Sequence, residues 1–350
     1  MQIISLGNST CSKVWAKITF VEFQRTSVDT FLLSQYDVSI KYLQLMLLNN
    51  RKFKEKFMPL QHLVEYFNDR LGREHRSSFR PFILEKGKVS GLFGPIRIDS
   101  SFTPLRQTLR PTVIVGHTAQ IAVAPNKTQH LYASEIETLL ANNSVPATEF
   151  ESIINFDRLS RTVHMLNYLT LSHLQGLLFL EVDPQHILGI KKDHGAYFEE
   201  VIAQCGLETK NIVIVLTIYS QYARYYQELI NGLNNYRRRG YQLALNFDNF
   251  AQDESDLFDL IGRISPNYIS LSARHLLDQA NDDNLLIKLQ QLKTQVDSAG
   301  GQSILKQIDE KKSDLLARNY GFELVEGGYY RSIAFDYLGH STLDDYDYMI

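Results

Sequence analysis

The sequence predicts an α/β fold, a closed (β/α)8 barrel preceded by a mainly helical segment, and three observations carry that prediction. From about residue 98 onward, short apolar runs alternate with stretches of helical period. Eight such runs occur, enough to close the sheet into a barrel instead of leaving it open. Two of them, Ile212-Val-Ile-Val-Leu216 and Leu177-Leu-Phe-Leu180, are apolar without a break, as strands covered on both faces are.

Taken in order, the strands are expected at 97–105, 112–122, 177–182, 211–218, 242–247, 268–273, 302–308 and 322–325. Helical spacing fills 147–170, 196–205, 220–238, 253–262, 282–299 and 310–319, with Gly262-Arg-Ile-Ser-Pro266 punctuating the end of the fourth. Asp183-Pro184 reads as a turn leading into a helix, because Asp caps a helix start and Pro fits its first turn. Residues 1–95 behave differently. Helical period runs through 28–48 and again through 52–71, separated by Asn49-Asn-Arg51. Leu60, Leu63, Val64 and Phe67 form one apolar stripe, whose expected role is packing. The basic residues Arg70, Arg73, His75, Arg76 and Arg80 read as a solvated linker face in preference to an anion site. The expected organisation is therefore a helical segment over 1–95, a barrel over 96–340 and an acidic, aromatic tail over 341–350.

A chain of 350 residues, 44% hydrophobic, can bury the core of one large barrel plus an appended segment. Its 36 basic and 39 acidic residues give a net charge of −3, so no field draws it to nucleic acid or to an anionic membrane. Cys11 and Cys205 stand far apart without metal spacing, which fits a reducing, cytoplasmic setting. No apolar run reaches the length of a membrane span, and the N-terminal residues lack the order of a signal peptide.

Chemistry-bearing constellations are sparse. The histidines, among them His117, His164, His186 and His275, offer no zinc spacing, and His164 fits a packed core position. Gly300-Gly301 and Gly327-Gly328 lack the trailing Lys-Ser/Thr of a phosphate loop and serve turns. Ser270 and Ser272 have no base at a spacing that would activate a hydroxyl nucleophile. Strand ends do collect Glu181, Asp183, Asn246, Asp248, Asp309 and Glu326, a set able to hold a hard cation. Helix caps and solvated loop residues are the simpler reading of the same set.

Ordered motifs point further. Asp99-Ser-Ser-Phe-Thr-Pro-Leu105 and Val115-Gly-His-Thr-Ala-Gln120 stand where the EAL family has Phe-Gln-Pro-Ile and Val-Gly-x-Glu-Ala-Leu. Leu180-Glu-Val-Asp-Pro184, Gly240-Tyr-Gln-Leu-Ala-Leu245, Pro266-Asn-Tyr-Ile269 and Gly327-Gly-Tyr-Tyr330 follow in the family's order. The chain resembles a cyclic di-GMP phosphodiesterase domain of the EAL class over roughly 98–338, which implies a modified TIM-type barrel. In that family, carboxylates and an amide at strand ends hold two divalent metals that activate water. Carried over residue by residue, the resemblance implies a degenerate set. The signature glutamate falls on Thr118 and the arginine after it on Ala122; the metal-binding asparagine falls on Glu181. Glu-x-Thr-Glu becomes Val215-Leu-Thr-Ile218, and the paired aspartates fall on Asn246 and Phe247, with Asp248 one step on. The lysine and aspartate of the sixth strand align with Ser270 and Ser272. The two glutamates of Ala-Glu-Gly-Val-Glu align with Lys306 and Asp309, and the glutamines of Phe-Gln-Pro-Ile and Gln-Gly-Tyr with Thr103 and Glu326. Lys306 is expected to pair with Glu181 across the mouth, because a buried charge without a partner costs several kcal/mol.

Three functional readings follow: a catalytically inactive EAL-like regulatory module that binds another protein in bacterial signalling, a cyclic di-GMP sensor without hydrolysis, and a residual phosphodiesterase. The first is preferred. It implies no cofactor, no metal, no catalytic residue, a protein partner and no nucleic acid, with cyclic di-GMP binding not expected; the resemblance also implies a homodimer. Tyr225, Arg237, Arg238 and Arg239 are the candidate interaction surface, since tyrosine and arginine are enriched where proteins meet. In the same stretch Tyr222, Tyr226, Leu229, Ile230 and Leu233 fit the barrel-facing period. The segment Leu343-Asp-Asp-Tyr-Asp-Tyr-Met-Ile350 reads either as a disordered tail or as one that docks.

Overall fold

The computed structural model describes residues 59–74, 80–93, 96–123, 149–171, 176–190, 195–247, 254–278 and 285–330. They belong to one of the chain's two compact units, Met58–Ile350. In chain order the elements are α1 (Leu60–Glu74), β1 (Phe82–Glu85), β2 (Lys88–Phe93), β3 (Ile96–Gln107), β4 (Ile114–Val123), α2 (Glu149–Tyr168) and β5 (Leu177–Glu181). Next come α3 (Pro184–Gly189), α4 (Ala196–Gln204), β6 (Ile212–Thr217), α5 (Tyr226–Arg238), β7 (Gln242–Phe247), α6 (Glu254–Ile264) and β8 (Tyr268–Ser272). The chain continues through α7 (Ala273–Asp278), α8 (Leu285–Ser298), β9 (Gln302–Lys306), α9 (Lys311–Asn319) and β10 (Leu324–Val325).

Strands β3 to β10 close a barrel of eight. β4 to β9 are consecutive parallel neighbours and β10 is parallel to β9, while β3 runs antiparallel to both β10 and β4 and seals the ring. The first crossover is therefore a hairpin over 108–113 in place of a helix. Strand alternation splits the apolar residues into two sets. Leu105, Phe179, Val213, Val215, Ala244, Tyr268, Ile304 and Leu324 fill the interior, where the Phe179 and Tyr268 rings meet edge to face at 5.1 Å. The residues between them, such as Ile212, Ile214 and Leu216, pack outward against the helices, which explains why all six residues of β6 are buried. Gly116 permits the close approach of β4 and β5: a Cβ there would lie 2.4 Å from the Leu177 carbonyl oxygen.

All eight expected barrel strands are present, β3 longer than expected at both ends and most of the others shifted or shortened by a few residues. Asp183 caps α3, its carboxylate accepting from the Gln185 N–H at 2.7 Å with Pro184 in the first turn, as the dipeptide predicts. The expected helix over 220–238 divides into a 3₁₀ turn, Ser220–Tyr225, and α5. Before residue 95, β1 and β2 form a hairpin whose second strand pairs antiparallel with β3. Two asparagines imitate strand neighbours there. Asn68 of α1 accepts from the Phe82 N–H at 2.9 Å and donates to its carbonyl at 2.8 Å, and Asn167 of α2 does the same for Val89. Leu63, Val64 and Phe67 are buried in the same core, so the apolar stripe has the packing role expected of it. Arg70 pairs with Glu200, and Arg80 with Asp69, so these members of the basic stretch answer local carboxylates. The tail over 341–350 lies outside the described residues.

Candidate functional site

Alternation along parallel strands brings a set of polar residues to the interior near the C-terminal ends, where barrels of this architecture place their chemistry. β5 delivers Glu181, β6 Thr217, β7 Asn246, β8 Ser270 and Ser272, and β9 Lys306. From the antiparallel side, Thr103 and Thr118 face each other across β3 and β4. Glu326 follows directly on β10 and is buried.

Four of these groups form one directional row. Ser270 Oγ donates to Asn246 Oδ1 at 2.8 Å, Asn246 Nδ2 donates to Thr217 Oγ1 at 3.1 Å, and Thr217 Oγ1 donates to Glu181 Oε1 at 2.5 Å. The row starts on buried β8 and ends on an exposed carboxylate of β5. On the other side of the mouth Thr118 Oγ1 donates to Glu326 Oε2 at 2.6 Å, and Thr103 Oγ1 donates to Gln120 Oε1 at 3.3 Å. Ser272 Oγ donates to Gln307 Oε1 at 2.6 Å, and Gln307 holds a left-handed φ of 60° immediately after β9.

Other predicted positions are not part of this set. Phe247 and Ile218 turn outward into the core beneath the helices, and Val215 belongs to the apolar plug below the mouth. Ala122 pairs with Asp99 near the end of the β3–β4 ladder. Asp309 is exposed and stands 3.9 Å from Arg274. Asp248 lies outside the described residues. The expected Lys306–Glu181 ion pair does not form. β5 and β9 are four strands apart in a ring of eight, hence opposite each other, and Glu181 is served by Thr217. Lys306 is half-buried, with Ser272 its lateral neighbour, and water at the mouth can solvate its ammonium. Thr217 is the site residue that sequence reasoning passed over, although the alternation through Val213 and Val215 already put it on the interior face.

The family's two divalent metals need several carboxylate oxygens converging on one point. Among the described residues no group of three or more His, Cys, Asp or Glu side chains could hold a metal ion. Glu181 and Glu326 sit three strands apart, each answered by a threonine hydroxyl. The described donor set does not fit a two-metal centre.

The candidate interaction residues do not form one patch. Tyr225 lies just before α5, with the Arg224 guanidinium 4.7 Å above its ring. Arg237 and Arg238 are at the far end, about 20 Å away along a 13-residue helix, with Arg239 just beyond it. Arg237 donates to the Ser265 carbonyl at 2.9 Å and Arg239 pairs with Glu199 at 2.5 Å, while Arg238 is exposed. Tyr226, Leu229, Ile230 and Leu233 are buried as the period predicted, and Tyr222 packs against the core.

A second polar cluster, unforeseen in the sequence, lies behind β5. Asp157 and Arg161 of α2 form a buried ion pair, and His186 of α3 brings Nδ1 to 2.9 Å from the same carboxylate. The Arg161 guanidinium lies 3.7 Å from the Phe198 ring centre and donates to Tyr236 Oη at 3.3 Å. Burial pushes the Asp157 carboxyl up, but Arg161 and His186 outweigh it and hold it at about 2. Nearby His164 accepts or donates at 2.8 Å with Ser100 Oγ, and burial lowers it to about 4; burial lowers His117 to about 4 as well.

No family model matches the chain, and no curated protein matches it either. Solved structures do. BlrP1 of Klebsiella pneumoniae, in complex with manganese and cyclic di-GMP, aligns with a TM-score of 0.54 and 13% identity over 66% of this chain and 54% of its own. YkuI of Bacillus subtilis, a protein with an EAL domain in complex with cyclic di-GMP and calcium, aligns at 0.51 and 15% identity over 71% of this chain and 60% of its own. A standalone EAL protein of Vibrio cholerae, bound to cyclic di-GMP, aligns at 0.50 and 12% identity over 67% and 90%. The chain thus spans about half the length of BlrP1. The barrel has the fold of EAL domains.

Proposed function

We propose that this protein is a catalytically inactive EAL-fold module, acting in the cytoplasm as a regulatory, protein-binding component of bacterial signalling such as the control of motility, pili, biofilm or transcription. The observation that carries the reading is the row Ser270–Asn246–Thr217–Glu181, in which groups at the strand ends satisfy one another instead of presenting oxygens to a metal. Placing the EAL motif on this chain puts Thr118, Asn246 and Ser270 where the family has charged groups, and Lys306 where it has a glutamate. Each lost interaction with developing charge removes several kcal/mol of transition-state stabilisation, so their joint loss leaves no measurable turnover.

Titration calorimetry of the full chain with cyclic di-GMP, with and without magnesium or manganese, tests this. No heat of binding and no linear dinucleotide are expected. Micromolar binding in the absence of metal would replace this reading with that of a sensor, and release of linear dinucleotide would overturn inactivity. Among the described residues no helix is long and apolar enough to cross a membrane, so contact with a membrane-borne partner would be made through protein surfaces.

A further inference from the structure

The hairpin joining β3 to β4, at the end of the barrel away from the mouth, exposes apolar side chains on a fixed frame. Leu109 is 80% exposed, and Val113 and Ile114 are each 38% exposed. The tip is braced internally: the Gln107 N–H donates to the Val113 carbonyl at 3.1 Å, the Val113 N–H to the Arg110 carbonyl at 2.9 Å, and Arg106 Nη1 to the Pro111 carbonyl at 2.8 Å. It is also tied to the barrel, where the Thr108 N–H donates to the Glu323 carbonyl at 3.0 Å. A rigid loop that shows leucine to water is a surface awaiting cover. Its charge is of one sign. Arg106 and Arg110 lie on it, and no Asp or Glu occurs from Pro104 to Thr118.

We propose that this tip is the docking site of segment 343–350 of the same chain. That segment, Leu-Asp-Asp-Tyr-Asp-Tyr-Met-Ile, offers three carboxylates and no basic group, interleaved with large apolar side chains. It complements the tip in both charge and apolar character. Reach allows it: Val325 pairs with Arg106 near the tip and β10 then runs to the mouth side, so the path from Tyr330 back to the tip is about the height of the barrel. The 12 residues 331–342 extend up to about 40 Å. The mouth is the poorer host, because Glu181 and Glu326 would face the aspartates there against one lysine, Lys306. The contact does not depend on what the mouth binds.

Amide hydrogen exchange of the full chain tests it. The expected result is that amides of 343–350 exchange at least tenfold more slowly than in a synthetic peptide of that segment at the same pH. Leu109→Asp and Arg110→Glu each return them to the peptide rate, and 1 M salt does so in part by screening the charges. Leu109 is too exposed for its substitution to unfold the barrel, and unchanged thermal melting verifies this for each variant. Reversing Asp344, Asp345 and Asp347 to Lys in the Arg110→Glu background restores protection. Exchange at the peptide rate in the unmodified chain overturns the proposal. So does slowing that survives Leu109→Asp, or slowing that vanishes on hundredfold dilution, which would place the contact between copies.

Discussion

At the mouth, Ser270, Asn246, Thr217 and Glu181 pass hydrogen bonds along one row that ends at solvent, whereas behind β5 Asp157, Arg161 and His186 hold charge where water hardly enters. In the first region most members are neutral, so each needs only a neighbour of matching polarity and the row tolerates an open end. In the second, the carboxylate and the guanidinium are both buried, and neither is tolerable without the other. A buried ion pair therefore ties α2, α3 and α5 together in the helical layer, whereas the carboxylates at the strand ends are met by threonine hydroxyls.

The largest effect should come from splitting the buried pair. Arg161→Met leaves buried Asp157 with His186 but without its guanidinium partner and is expected to cost about 3–5 kcal/mol in urea unfolding. The double variant Asp157→Leu/Arg161→Met should be clearly more stable than Arg161→Met alone, since it removes both charges. Equal losses in the two variants would mean that Arg161 acts mainly by packing on Phe198.

Acid comes next. His164 has a folded value of about 4 against 6.5 in the unfolded chain, so the unfolded state binds the extra proton in between. Its contribution is fully present above pH 6.5 and is lost as the pH falls toward 4, about 3 kcal/mol in all. Asp157, held at about 2, adds a further loss only below about pH 4. A stability profile followed from pH 7 to 4 should therefore fall, and His164→Gln should flatten it. A profile unchanged by that substitution would assign the acid loss to other groups, His117 among them.

The sequence made the barrel legible and the mouth only partly so. Strands such as Ile212–Thr217 carry their own evidence in an unbroken apolar run, and the interior position of Asn246 or Ser270 follows from alternation once the strand is placed. The hairpin over 82–93 escaped because Lys86-Gly87 alone marks its turn, and its edges are completed by Asn68 and Asn167, distant in sequence. The Asp157–His186 contact is equally long-range, and nothing in the period of α2 distinguishes a buried aspartate from a solvated one. Register across the ring was the remaining gap: an ion pair between Lys306 and Glu181 is reasonable from composition and excluded by the geometry of opposite strands.

Within the mouth, Thr217→Val should cost about 1–2 kcal/mol, because it removes the donor to Glu181 and the acceptor of Asn246 while keeping volume. Thermal melts of this variant and of Ser270→Ala rank the row's middle against its end, and the middle should matter more.

The smallest effect is the most discriminating. Lys306→Met should change stability by less than about 0.5 kcal/mol, since a half-exposed ammonium hydrated at the mouth gives up little when it is replaced by a side chain of similar length. A partnership with a carboxylate across the barrel would instead make the same substitution expensive and tie it to pH, because the orphaned acid would then take up a proton more readily. Urea unfolding of Lys306→Met at pH 7 and pH 5 separates the two. A small, pH-independent change keeps the Lys306 ammonium solvated and apart from the two carboxylates, Glu181 and Glu326, that threonine hydroxyls serve. A loss of 2 kcal/mol or more at pH 7 that shrinks at pH 5 would put an ion pair back at the centre of the barrel and erase the contrast with the cluster behind β5.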